Sequence, residues 1–189
     1  MLVRLVVILF IPVIFQSCIP SEENRIPTAE YQKGLGKKIR NEKAAKIYRV
    51  TGYKYYKHGN YEKALEFYSK ALLKYKELSK LYHPEAGELY LKMGDLYIKM
   101  GDNKEALRFY FKALKIFKKY YGPDHLLTAV AYRGLGSVYE NISDYKKAYY
   151  FYKKSLPAYE QEFGENHKKT ITIKEKLRIL SHKIKKTQS

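Results

Sequence analysis

The chain has 189 residues, 46% of them hydrophobic, which is enough for one domain with a buried core and excludes a wholly disordered protein. Its 37 basic and 19 acidic residues leave a formal charge of +18, a balance that favours acidic peptides, phospholipid headgroups or nucleic acid as partners. Lysines outnumber arginines heavily and spread along the whole chain, so most of the charge reads as solvated helix surface and nucleic acid is disfavoured.

At the N-terminus, residues 1–4 carry one positive charge at Arg4, and residues 5–15 are apolar apart from the break at Pro12. Eleven residues are too few to span a bilayer and suit the apolar region of a secretory signal, read here as residues 1–17. Cys18 follows, the only cysteine in the chain, so no intrachain disulfide can form. With Ser17 before it, this segment resembles a bacterial lipoprotein signal, although Phe15 and Gln16 depart from the commoner residues. The resemblance implies lipid attachment at Cys18 and a membrane-anchored protein of the bacterial envelope, in a leaflet the sequence does not specify. Residues 18–41 read as a tether, with Pro20, Pro27, Gly34 and Gly36 and no sustained apolar period. Gly34-Leu35-Gly36-Lys37 lacks the glycine spacing and the Ser or Thr of a phosphate loop.

From residue 42 onward a unit recurs three times at a spacing of 42 residues. Gly52, Gly94 and Gly136 keep that spacing, as do Tyr55, Tyr97 and Tyr139, Ala64, Ala106 and Ala148, and Tyr68, Tyr110 and Tyr152. A fixed period of this length is the mark of a solenoid. Residues 42–58 read as a first helix with Tyr48, Gly52 and Tyr55 inward. Residues 61–81 read as a second, because Ala64, Leu65, Tyr68, Ala71, Leu72, Tyr75, Leu78 and Leu81 fall at three- and four-residue steps. Gly59-Asn60 breaks the two apart. The repeats are expected at 42–82, 83–124 and 125–164. A mid-helix glycine costs about 1 kcal/mol relative to alanine, so glycines held on one register imply close helix contact there. The recurring tyrosines sit on the same inward registers, which fits core packing better than a platform for bases. Pro157 falls inside the last second helix and is expected to kink or end it early. Residues 165–189 read as a capping helix and basic tail, with Ile173, Leu177, Leu180 and Ile184 inward.

The segments Tyr90-Leu91-Lys92-Met93-Gly94-Asp95-Leu96-Tyr97 and Tyr132-Arg133-Gly134-Leu135-Gly136-Ser137-Val138-Tyr139 resemble the tetratricopeptide repeat. The Tyr121-Gly122-Pro123-Asp124-His125 turn and the 42-residue period are similar to the kinesin-light-chain form of that repeat. The resemblance implies an all-α, right-handed α-solenoid of three hairpins plus a C-terminal capping helix. It also implies a groove lined by the first helix of each hairpin. Carried over, the groove holds Arg49, Tyr53, Tyr56 and Lys57, then Leu91, Lys92, Asp95, Ile98 and Lys99, then Arg133, Ser137, Glu140 and Asn141. Its mixed but net basic character suits an extended acidic or amphipathic segment of another protein. Tyr53, Asp95 and Ser137 stand where chaperone-binding members need asparagine, which argues against that specialisation.

His83, His125 and His167 also recur at 42 residues, but packed helices about 8–10 Å apart would not let them share one zinc, so they read as turn residues. No metalloprotease, serine-hydrolase or phosphate-loop motif is present, so the sequence points to no cofactor, no metal and no catalysis. The expected function is a membrane-anchored interaction scaffold or adaptor. The competing expectation is a surface-exposed adhesin or binder of polyanions that uses the basic surface.

Overall fold

The computed structural model describes residues 29–187. The regular elements among them are seven helices: α1 (Ala29–Lys57), α2 (Tyr61–Glu77), α3 (Pro84–Lys99), α4 (Asn103–Tyr121), α5 (Leu126–Asn141), α6 (Tyr145–Phe163) and α7 (Lys168–Lys186). The chain divides into two compact units after Lys37, so the first nine residues of α1 lie in one and the rest of the helices in the other. The second unit is a helical solenoid. The starts of α2, α4 and α6 are 42 residues apart, and so are those of α3, α5 and α7.

Two capping devices alternate along it. The side chains of Asn60, Asp102 and Asp144 accept the backbone N–H groups of Lys63, Glu105 and Lys147 at 3.0–3.1 Å, opening α2, α4 and α6. The periodic histidines open α3, α5 and α7. Nδ1 of His83, His125 and His167 accepts the backbone N–H of Glu85, Leu127 and Lys169 at 3.5, 3.1 and 3.2 Å. Each cap satisfies one of the donors that a helix start leaves unpaired.

Within each hairpin a tyrosine ring of the second helix lies flat on a glycine of the first. A Cβ on Gly52 would stand 2.6 Å from Tyr68, on Gly94 2.9 Å from Tyr110, and on Gly136 3.0 Å from Tyr152. Tyr110 also meets Gly134 of the following hairpin, still more closely, so one ring is clasped between two repeats. The three tyrosines are buried, with Ala64, Ala106 and Ala148 at their sides. Stacked pairs Tyr55–Phe67, Tyr97–Phe109 and Tyr139–Phe151, with centroids 5.3–5.4 Å apart, repeat the arrangement at the hairpin edge.

Helix α7 closes the solenoid. It buries Ile173 and Leu180, with Leu177 and Ile184 half-buried beside them, and Lys174 and Lys176 pair with Glu160 and Glu140 at 2.8 Å. At the register of Gly52, Gly94 and Gly136 it carries Arg178, exposed and paired with Glu175 at 2.7 Å.

Three expectations require correction. The tether assigned to 18–41 is helical from Ala29, and every residue of 29–40 is exposed. That stretch has no apolar period because no side of it is buried, and helix-forming Lys, Glu, Gln and Arg sustain it. Helix α2 ends at Glu77 and not at residue 81; its relatives α4 and α6 run to Tyr121 and Phe163 and are capped by Gly122 and Gly164, whereas here the chain turns earlier, with Ser79 at φ 57°. Helix α6 runs through Pro157 to Phe163. The proline is exposed, so the Lys153 carbonyl it leaves without a partner can meet water, while buried Ser155, Ala158 and Tyr159 hold the helix on both sides. No helix among the described residues is long and apolar enough to cross a membrane. The signal segment 1–17 and Cys18 lie outside the described residues.

Candidate functional site: a groove with two cavities

The first helices of the hairpins, α1, α3 and α5, together with α7, carry the face on which the sequence placed the groove. Among the cavities on the described residues, two lie at opposite ends of it. One, of about 220 Å³, lies between α1 and α3 over Tyr68 of α2, and is walled by Arg49, Val50, Tyr53, Glu88, Leu89 and Lys92. The other, of about 610 Å³, lies between α5 and α7 over α6, with Leu126, Val130 and Phe163 on its apolar side and Arg133, Lys168 and Lys169 on its basic side.

The first cavity gathers three of the sequence-derived site residues. Arg49 Nη1 donates to Glu88 at 3.3 Å, and Lys92 Nζ lies 5.9 Å from the centre of the Tyr53 ring. Two buried polar atoms border it without a hydrogen-bond partner: Arg49 Nε and the Tyr68 hydroxyl. Burial pushes the Tyr68 phenol up to about 12, so it stays a neutral donor at ordinary pH.

The equivalent hydroxyls one and two repeats on are satisfied. Tyr110 donates to Asp95 at 2.5 Å, and Tyr152 to Glu140 at 3.1 Å. Burial, then the neighbouring carboxylate, holds both phenols far above their ordinary value. In the first repeat the counterpart of Asp95 is Tyr53 and the counterpart of Glu140 is Tyr56, and neither supplies a carboxylate.

The remaining candidates divide. Arg133 borders the second cavity, and its Nε donates to the Tyr159 hydroxyl at 3.0 Å. Asp95 and Glu140 are half-buried and committed to the tyrosines, so they act in hairpin packing. Ser137 is half-buried and faces Tyr152. Tyr56 packs on Tyr53 and Tyr61, with centroids 6.5 and 6.0 Å apart. Lys57 and Lys99 are exposed at the ends of α1 and α3, away from both cavities. Asn141 donates to Asn103 at 3.4 Å at the hairpin rim, Leu91 is buried in the core and Ile98 packs against that core. Sequence reasoning passed over Tyr68, Glu88 and the second cavity's residues on α6 and α7. The exchange of Asp95 for Tyr53 between repeats bears on Tyr68 only once the fold shows that Asp95 accepts from Tyr110.

The hairpin geometry, the glycine–tyrosine contacts and the 42-residue period all agree with a sequence comparison. The tetratricopeptide repeat family model matches residues 55–110 and 85–161, which together span more than half of the chain. The chain belongs to the tetratricopeptide repeat family. Solved structures agree on the fold of this repeat protein. BtubC (BKLC) from P. vanneervenii superposes with a TM-score of 0.67 at 20% identity, over 72% of this chain and 54% of that one, so the chain spans about half of its length. A putative kinesin light chain from Podosopora anserina with nearly identical TPR-like repeats gives 0.62 at 14% identity, over 76% and 66%. The Sgt2 TPR domain from Aspergillus fumigatus gives 0.58 at 21% identity, over 76% and 81%. No curated protein matches the chain in sequence.

Proposed function

We propose that this repeat protein is an interaction scaffold, tethered to a membrane of the bacterial envelope through Cys18, that holds an extended segment of a partner protein in its groove. The observation that carries this reading is the pair of cavities at the two ends of the first-helix face, each bordered by cations already singled out in the sequence. Leu126, Val130 and Phe163 suit a large apolar side chain at the α5–α7 end, and Lys168, Lys169 and Arg133 suit acidic neighbours of it. An extended segment lying across several helices meets both ends at once, which is how such grooves gain affinity without deep pockets.

The test is a crosslinking pull-down from membranes with the wild type and with Arg49→Glu/Lys92→Glu/Arg133→Glu, the variant first shown by circular dichroism to keep its helices. One envelope protein recovered by the wild type and lost in the variant supports the groove. Equal recovery, or diffuse material that salt removes, moves the function to the basic outer surface. The anchor is tested separately: Cys18→Ala releases the protein into the soluble fraction, and retention without a lipid label overturns the lipoprotein reading.

A further inference from the structure

The first cavity has two donors that no acceptor meets, and its one carboxylate, Glu88, is engaged by Arg49 Nη1. The Tyr68 hydroxyl is buried and unpartnered, as is Arg49 Nε, and Lys92 stands at the rim. Buried polar groups without partners are uncommon in folded proteins, and each calls for a physical account. Two of them on one cavity are an arrangement complementary to a missing acceptor. Internal symmetry names its chemistry. In the second and third repeats the same phenol donates to a carboxylate of the chain, Asp95 or Glu140, whereas no carboxylate accepts from Tyr68, the nearby Asp95 being taken by Tyr110.

Resting on the groove reading above, we propose that the cavity between α1 and α3 receives the side-chain carboxylate of an aspartate or glutamate from the bound segment. That carboxylate takes the place, in the first repeat, that Asp95 holds in the second. One oxygen accepts from the Tyr68 hydroxyl and the other from Arg49 Nε. On the cavity wall the two cations Arg49 and Lys92 face the single carboxylate of Glu88. Glu88 does not fill the role itself: it accepts from Arg49 Nη1 at 3.3 Å and leaves Nε and the Tyr68 hydroxyl without a partner. The segment therefore needs an acidic residue at this point, and glutamine or asparagine cannot replace it without losing the charge that Arg49 and Lys92 oppose.

The decisive experiment titrates the protein with N-acetyl-glutamate amide and, separately, N-acetyl-glutamine amide. It follows the Arg49 Nε–H resonance by NMR, in the wild type and in Tyr68→Phe. The expected result is a saturable shift with the glutamate probe, none with the glutamine probe, and an affinity about tenfold weaker in Tyr68→Phe. Tyr68→Phe keeps the ring on Gly52 and removes only the unpartnered hydroxyl, so its melting temperature without probe stays at or above that of the wild type. An unmoved resonance, an equal response to both probes, or equal affinity in Tyr68→Phe overturns the proposal. A lower melting temperature in Tyr68→Phe also overturns it, by showing that the hydroxyl serves the fold. If the partner caught in the pull-down is lost by the charge-reversal variant yet kept undiminished by Tyr68→Phe, the cavity reading falls while the groove reading stands.

Discussion

Gly134 shows how much one absent methyl group decides. Its neighbour is the ring of Tyr110, a side chain that already lies on Gly94, so a Cβ at 134 would drive into a clasped aromatic with no free direction to move. Gly134→Ala should therefore destabilise by about 1–3 kcal/mol, read as a lowered midpoint in urea unfolding, even though alanine is the better helix former. The buried phenols make a second residue-scale prediction. Tyr68, Tyr110 and Tyr152 have folded-state values raised above 10.0, chiefly by burial. The folded protein resists losing these protons more than the unfolded chain does. Their contribution is complete below pH 10, the unfolded value, and is lost as pH rises from there through the folded values, about 12 for Tyr68. Melting temperature should fall from about pH 10 upward while absorbance at 295 nm lags behind that of the denatured chain.

Within the elements, the turns carry the repeat's irregularities. Gly59 and Gly101 adopt φ 75° and 80° between first and second helices, but the third hairpin places Ser143 there at φ 62°. A side chain in the left-handed region costs about 1–2 kcal/mol. Ser143→Gly is expected to stabilise the protein by about 0.5–1 kcal/mol, because glycine relieves the strain but adds freedom to the unfolded chain. A thermal melt that moves down instead would mean that the Ser143 hydroxyl, 3.4 Å from the Tyr145 hydroxyl, is worth more than the strain. The same logic accounts for the short α2. Where a glycine can end the helix, α4 and α6 run 19 residues, and where Lys80 stands at that register, α2 stops at 17.

For the whole solenoid, the two cavities lie two first-helix steps apart, α1–α3 to α5–α7. With neighbouring helices about 8–10 Å apart, that is roughly 16–20 Å. An extended chain rises about 3.3 Å per residue, so the span equals about five or six residues. A peptide carrying glutamate and a large apolar residue at that spacing should bind at least tenfold tighter than one with a spacing of two. Fluorescence polarisation on a spacer series checks this, and a flat series would show that the cavities are not engaged together. Added salt should weaken the glutamate end more than the apolar end, since Arg49 and Lys92 are partly exposed and screened.

The sequence by itself determined the architecture, because a 42-residue period in glycine, alanine and tyrosine admits few packings other than stacked hairpins. It marked the second helices through their small-residue registers, and the family resemblance it carries assigned Arg49, Tyr53, Lys92 and Arg133 to the groove. It also showed His83, His125 and His167 as periodic, although only the backbone geometry revealed that each imidazole caps a helix. What tertiary structure alone decided was which polar groups are satisfied. Tyr68, Tyr110 and Tyr152 are identical letters on identical registers. Their difference lies in the residues brought over them from neighbouring first helices, 12 to 15 positions away in the chain. A hydroxyl's partner is a matter of ångströms and angles, which a linear pattern does not encode. The same holds for the second cavity, assembled from α5, α6 and α7, and for Pro157, where packing on both sides outweighs a local preference to stop the helix.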